Sequence, residues 1–401
     1  MTALLLLLLC AAPDLEKLAA EYFEAPEARR AEILSALGDA DRLDAAGVKA
    51  WQARLGKLMG KGRKLEKRGT NYFVDEKAKR GKYIVSGGGS GTLGLLVGMH
   101  GGGVGAGDAG EAASTFGPIA SKNRCVGIFP EVLEKTERGW TTSGTEEFVL
   151  DLIQAAKRTW KIDPDRIYLA GHSMGGYGTW TIGARHADLF AGLAAYAGAP
   201  TPYLSGDEIV GIEDGVLPNL LNVPIHVYQS LDDKNVPPGP NIYAAAELVR
   251  LQKQYGGFPH VYEQVDGRGH GAPPGGHGKA FEWVASHTRD PRPRHILWQP
   301  VLSWKRAFYW LWWNAPTPRV LAEAKVEEGN VIRISLGGGS KAGLRVLLDE
   351  ALVDLSKEVV IFVDGQEAFR GIVPFTLSTL LMTAAERRDP RLLFAARVDL
   401  G

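Results

Sequence analysis

The chain has 401 residues, 45% of them hydrophobic and 23% charged, a length that suits two or three domains and a composition able to bury a core. Lys and Arg number 46, as do Asp and Glu, so the formal net charge is zero. That balance argues against a dedicated nucleic-acid binder and against an acidic disordered chain.

The first residues, "MTALLLLLLCAA", form an apolar run too short to span a bilayer but suited to the core of a signal peptide. Residues 1–12 are therefore expected to direct the protein out of the cytoplasm, to a secreted or periplasmic location, although no Lys or Arg precedes the run. Leu9 stands before Cys10 where a lipoprotein cysteine would need a small residue. The other cysteine, Cys125, lies in the strand-like "RCVGIFP". A mature chain with one cysteine has no intrachain disulfide, and Cys125 reads as a small buried apolar residue.

Residues 13–70 read as a helical N-terminal segment. Leu15, Leu18, Ala19 and Tyr22 fall at helical spacing, Pro26 opens a second helix that Gly38 closes, and a third with Val48, Trp51, Leu55 and Leu58 follows from about Asp41. Between Lys49 and Lys82 there are 12 Lys or Arg against 3 acids, read as a solvated helix face and linker.

From residue 71 to 290 short apolar runs alternate with helical stretches. The strands are "KYIVSG", "LGLLVG", "CVGIFP", "RIYLAG", "FAGLAAYA", "PIHVYQS" and "HVYEQV". The helices are "EEFVLDLIQAAKRTW", "GYGTWTIGARH", "NIYAAAELVRLQKQY" and "GKAFEWVASH". Such alternation predicts an α/β domain with a mainly parallel sheet covered by helices on both faces.

Beyond the break "DPRPRH", residues 291–401 read as a small β-rich accessory domain. The tryptophan-dense "WQPVLSWKRAFYWLWW" suits a hydrophobic strand or packing seam better than a ligand platform. "VVIFVDGQEAF" predicts a hairpin with Asp364-Gly365 at its turn, and "FTLSTLLMTAAERRD" a helix.

Chemistry concentrates at "GHSMGG". Gly171-His172-Ser173-Met174-Gly175 fits G-x-S-x-G, with a strand before it and a helix after it. The serine of such an elbow is exposed at a sharp turn, and the helix N-terminus points free N–H groups toward developing negative charge. A serine hydroxyl needs a base, and the base needs an acid to orient it. The loop after "PIHVYQS" supplies "LDDKNVPP", and the loop after "HVYEQVDG" supplies "RGHG". His270 is the expected base. Asp233 is the expected acid because its spacing to Val236 and Pro237 fits better, with Asp232 as the alternative. The glycine turn "HGGG" after "LGLLVGM" offers Gly101 and Gly102 as N–H donors to an oxyanion, beside the N–H of Met174, while His100 is expected to order that loop.

Competing patterns are weaker. "GAGDAG" matches G-x-G-x-x-G, but its glycines come too late after the strand for a dinucleotide turn. No "GK[ST]" is present. His260, His270, His277, His287 and His295 lack zinc-ligand spacing, so no metal site is expected.

Together "HGGG", "DRIYLAGHSMGGYGTW", "FAGLAAYAGAP", "DDKNVP" and "GRGHG" resemble the α/β-hydrolase superfamily. Within it the chain is similar to secreted esterases of the polyhydroxybutyrate-depolymerase and feruloyl-esterase type, and to prolyl-oligopeptidase-like hydrolases. The resemblance covers residues 70 to 290 or so. It implies an α/β-hydrolase fold and serine hydrolysis through an acyl-enzyme on Ser173, Asp233 and His270, with no cofactor. The implied partner is a small or polymeric ester; a peptide substrate, or a non-catalytic binding role on the same scaffold, are the alternatives. No nucleic acid partner or membrane span is expected.

Overall fold

The computed structural model describes residues 14–142 and 144–401, so the expected signal peptide and Cys10 lie outside the described residues. The chain divides into two compact units. One comprises residues up to 61 together with 373–397, the other 62–372 together with 398–401. This division differs from the boundaries at 70 and 290 expected from the sequence. The break near 290 falls inside one unit, because the tryptophan-rich tract that follows is packed rather than linking.

The first unit holds helices α1 (Leu15–Glu24), α2 (Glu27–Ala36) and α3 (Ala45–Met59), plus a helix spanning Leu377–Arg387. Its core joins Ala19, Tyr22, Phe23 and Leu55 to Leu377, Leu380, Leu381 and Ala384. The third helix begins at Ala45, not near Asp41. The Asp44 carboxylate accepts the Gly47 N–H and caps it there, while residues 38–41 form a short 3-10 turn.

The second unit is built on an eight-stranded sheet: β1 (Gly69–Asp75), β2 (Arg80–Gly87), β3 (Leu93–Met99), β4 (Cys125–Pro130), β5 (Ile162–His172), β6 (Gly192–Tyr196), β7 (Ile225–Ser230) and β8 (His260–Val265). Their spatial order is β1-β2-β4-β3-β5-β6-β7-β8. The β1–β2 and β2–β4 pairs are antiparallel and the others parallel. This is the mainly parallel α/β architecture expected, with one antiparallel edge. Strand β1 falls in the basic stretch read as a linker. There Arg63 donates to the Phe73 and Tyr72 carbonyls and lies over the Phe73 ring, so part of that charge serves packing.

Strands β3, β4, β6 and β7 are buried on both faces, which is why they read as unbroken apolar runs. On one face Leu96, Ala170, Tyr196 and Tyr228 pack with helices α4 (Ala109–Lys122) and α8 (His277–Ala285) through Phe116, Phe281 and Val284. On the other, α6 (Met174–Arg185) brings Gly183 against the Leu193 side chain. Helices α5 (Thr145–Thr159) and α7 (Gly239–Tyr255) complete the connections. Cys125 is buried, and burial pushes its thiol up to about 11.

After residue 290 a five-stranded sheet forms from β9 (His295–Trp298), β10 (Ala322–Glu327), β11 (Val331–Ser335), β12 (Val359–Val363) and β13 (Gln366–Gly371). The expected hairpin joins β12 to β13, with Asp364 and Gly365 both at positive φ, 47° and 80°. Trp298, Trp310 and Trp313 are buried, and Trp298 stacks on Phe308 with ring centroids 5.6 Å apart. These aromatics are packing residues.

Candidate active site

Strand β5 runs directly into α6, and Ser173 occupies the corner between them. Its backbone sits at φ 57° and ψ −122°, a conformation that non-glycine residues avoid. The corner is pinned by the Ser173 N–H, which donates to the Tyr196 carbonyl of β6 at 2.8 Å. It can close this tightly only around small residues. A Cβ on Gly175 would lie 2.3 Å from the Met99 carbonyl oxygen.

The loop after β8 brings His270 to this corner. Its Nε2 lies 2.8 Å from Ser173 Oγ, and its Nδ1 lies 2.8 Å from an Asp233 carboxylate oxygen. A charged carboxylate only accepts, so Nδ1 carries the proton and Nε2 faces the hydroxyl as acceptor. The loop after β7 holds Asp233 rigidly, because its other oxygen accepts the Asn235 and Val236 N–H groups at 2.9 and 3.0 Å. The Asp233 side chain is fully buried, whereas that of His270 is 23% exposed on the cleft side. The structure thus brings Ser173, His270 and Asp233 into one hydrogen-bonded line.

Asp232 points elsewhere. One of its oxygens accepts from Ser230 Oγ and from the Arg268 and Gly269 N–H groups. The Ser230 hydroxyl and then the Gly269 N–H hold its carboxyl below the usual aspartate range. Adjacent aspartates therefore divide the work: Asp233 meets the imidazole, and Asp232 tethers the loop that carries it. Sequence reasoning gave Asp232 no such role; the signal for it was the pairing of an Asp-Asp turn with a glycine-rich histidine loop.

The three oxyanion candidates converge on the same place. A Cβ on Gly101 would fall 3.2 Å from Ser173 Cβ, a tight contact, and 3.8 Å from its Oγ, so this glycine backbone lies directly beside the serine. Gly102 has φ +140° and would drive a Cβ into the Ala106 carbonyl at 2.6 Å. Gly102 and Met174 line the same cleft as Ser173 and His270, and among the described residues neither N–H makes a hydrogen bond. His100 orders the loop, as expected. Nδ1 meets the Gly101 carbonyl at 2.6 Å and Nε2 accepts the Val132 N–H, while burial lowers its pKa.

The cleft has a volume of about 610 Å³. Pro200, Pro202, Val236 and Pro237 give it apolar walls, and Glu137 and Arg138 stand at its rim. The Arg138 guanidinium lies over the Tyr177 ring, 5.7 Å from its centre. The G-x-G-x-x-G match, set aside as a dinucleotide turn, has another use. Asp108 caps α4 at the Gly110 N–H, and Glu131 accepts from Ala109 N–H, with Lys82 bridging both carboxylates.

Ser173, His270 and Asp233 thus lie in hydrogen-bond contact, and over part of its length the chain is similar to known hydrolases. Residues 134–203 match the model of the prolyl oligopeptidase family, a segment that includes Ser173 and stops before Asp233 and His270. A poly(3-hydroxyalkanoate) depolymerase from Paucimonas lemoignei is 26% identical across 38% of this chain, which spans 45% of that relative. Among solved structures, a thermostable esterase shares 21% identity with a TM-score of 0.41, over 56% of this chain and 64% of its own. A ferulic acid esterase from Anaeromyces mucronatus shares 18% with a TM-score of 0.38, over 56% and 91%. The resemblance to esterases and hydrolases of the α/β-hydrolase type, read from the motifs, is found here as well.

Proposed function

We propose that the chain is a serine hydrolase that cleaves carboxylic esters through an acyl-enzyme. The observation that carries this reading is the line from Ser173 Oγ through His270 to Asp233, with both contacts at 2.8 Å, opening on a cleft. His270 Nε2 takes the Ser173 proton as Oγ attacks the ester carbonyl. The N–H groups of Met174 and of Gly101 or Gly102 hold the oxyanion, each worth a few kcal/mol, on the order of 3, in the transition state. His270 then protonates the leaving alcohol, and a water activated by the same ring releases the acid. Asp233 keeps the proton on Nδ1 and stabilises the imidazolium. The mechanism calls on no metal or cofactor, and the substrate is a small or polymeric ester.

A second reading, peptide hydrolysis with the same three residues, draws support from the prolyl oligopeptidase family match over residues 134–203. The test is reaction with a fluorophosphonate probe and mass spectrometry of the modified peptide, then a panel of ester and peptide substrates. The expected result is a label on Ser173 and faster turnover of esters. Faster peptide cleavage would select the second reading. A folded but unlabelled protein would leave a binding role on a hydrolase scaffold. We also propose that residues 1–12 direct export; among the described residues no helix is long and apolar enough to cross a membrane. The N-terminal sequence of the protein recovered outside the cytoplasm tests this.

A further inference from the structure

The loop that carries His270 is short of intrinsic rigidity. Gly267, Gly269, Gly275 and Gly276 all have positive φ, between 53° and 84°, and Gly271 sits among them. Its early half is tied down by Asp232 at the Arg268 and Gly269 N–H groups. Its late half ends at His277, the first residue of α8, whose Nε2 lies 3.2 Å from His172 Nδ1. His172 is the neighbour of Ser173, as Asp232 is the neighbour of Asp233. The base therefore hangs between two anchors, one beside the nucleophile and one beside the acid.

The surroundings of this half-buried histidine pair are aromatic. The His172 ring lies against His270, centroids 5.1 Å apart. His277 packs edge-on to Phe116 of α4 and Tyr196 of β6, at 5.7 and 5.1 Å. The titratable groups that face the pair are His270, Asp233 and Tyr196. Burial first, and then the other imidazoles, lowers both pKa values to about 4, so both rings are neutral near pH 7. A neutral pair can share one N–H between Nε2 and Nδ1 without like-charge repulsion.

We propose that His172 and His277 are positioning residues whose mutual hydrogen bond clamps the His270 loop to the end of β5 and so sets the distance from the base to Ser173. The proposal rests on Ser173 as the nucleophile. Loss of the clamp leaves the cleft walls in place, so it slows the chemical step rather than binding. A displacement of the base by about 1 Å costs on the order of 100-fold in rate.

The test is the saturation kinetics of fluorophosphonate labelling, which needs no knowledge of the substrate. In that reaction Ser173 Oγ bonds to phosphorus, fluoride leaves and His270 takes the proton. His277→Phe keeps the aromatic packing and removes the hydrogen bond. Its limiting labelling rate is expected to fall about 10- to 100-fold with the half-saturation concentration within about twofold. His277→Gln, with an amide nitrogen near the position of Nε2, is expected to recover most of the rate. A His277→Phe rate within twofold of wild type would overturn the proposal. Should His277→Phe not fold, equal rates in His277→Gln and His277→Ala would overturn it instead. Absence of label on the wild-type protein would sink the nucleophile assignment itself, which separates the two failures.

Discussion

At Ser173 the backbone is held at φ 57° by its surroundings, a strain on the order of 1–3 kcal/mol that the packed corner sustains. Removing the hydroxyl leaves that corner intact. Ser173→Ala is expected to abolish labelling and turnover while leaving the melting temperature within a few degrees, read by calorimetry beside the probe reaction. Asp233→Asn should lower kcat by about 10⁴, because an amide at this site favours the wrong imidazole tautomer. Asp232→Asn should act less strongly, through looser tethering of the Arg268–Gly269 backbone; a larger loss than Asp233→Asn would reverse the assignment. Ser173 and His270 were legible because a G-x-S-x-G corner and a later loop histidine fell at strand ends in the required order. Asp233 was separable from Asp232 only by spacing, since two adjacent turn aspartates have the same chemistry. The His172–His277 contact joins residues far apart in sequence, so no local pattern announced it.

Elements carried the same contrast. Strands β3, β4, β6 and β7 were readable because burial on both faces demands continuous apolar runs, and α5 and α7 because their polar faces keep the helical period. Helix α4 was not anticipated. Gly117 and Pro118 interrupt its pattern, yet Asp108 caps it and Phe116 and Ile119 hold its buried side. Strand β1 was hidden by its position at the sheet edge, where half-exposed residues alternate weakly. The hairpin of Pro202–Ser205 and Glu208–Ile212, which follows β6, was missed for a similar reason, being largely solvent-facing. The β5–α6 junction gives the sharpest test at this scale. Gly175→Ala would place a methyl 2.3 Å from the Met99 carbonyl oxygen, in backbone that cannot swing away. It is expected to destabilise the fold by about 1–3 kcal/mol or more, seen as a lower urea midpoint, and to slow labelling of Ser173 in the folded fraction.

Across the second unit, buried imidazoles couple stability to acidity. Burial lowers His172, His226 and His277 each to about 4 from the ordinary 6.5. The folded protein therefore keeps these rings neutral where the unfolded chain protonates them. Between about pH 6.5 and 4 the unfolded state binds more protons, so stability is full above that window and declines as pH falls through it. Urea midpoints measured from pH 7 to 4 should drop steadily; a flat profile would contradict the burial of these rings.

The first unit draws its core from the two ends of the sequence. Asp41 accepts from Ser378 Oγ at 2.9 Å across 337 residues of chain, and α1 and α3 pack against Leu377, Leu380 and Leu381. On the ribosome these N-terminal helices emerge first and their partner emerges late. At about 5–20 residues per second the interval lasts on the order of tens of seconds, during which Tyr22, Phe23 and Leu55 lack the part of their native cover that Leu377, Leu380 and Leu381 supply. The nascent chain is therefore expected to keep this core incomplete, in a loose or chaperone-shielded state, until residues 377–395 are translated.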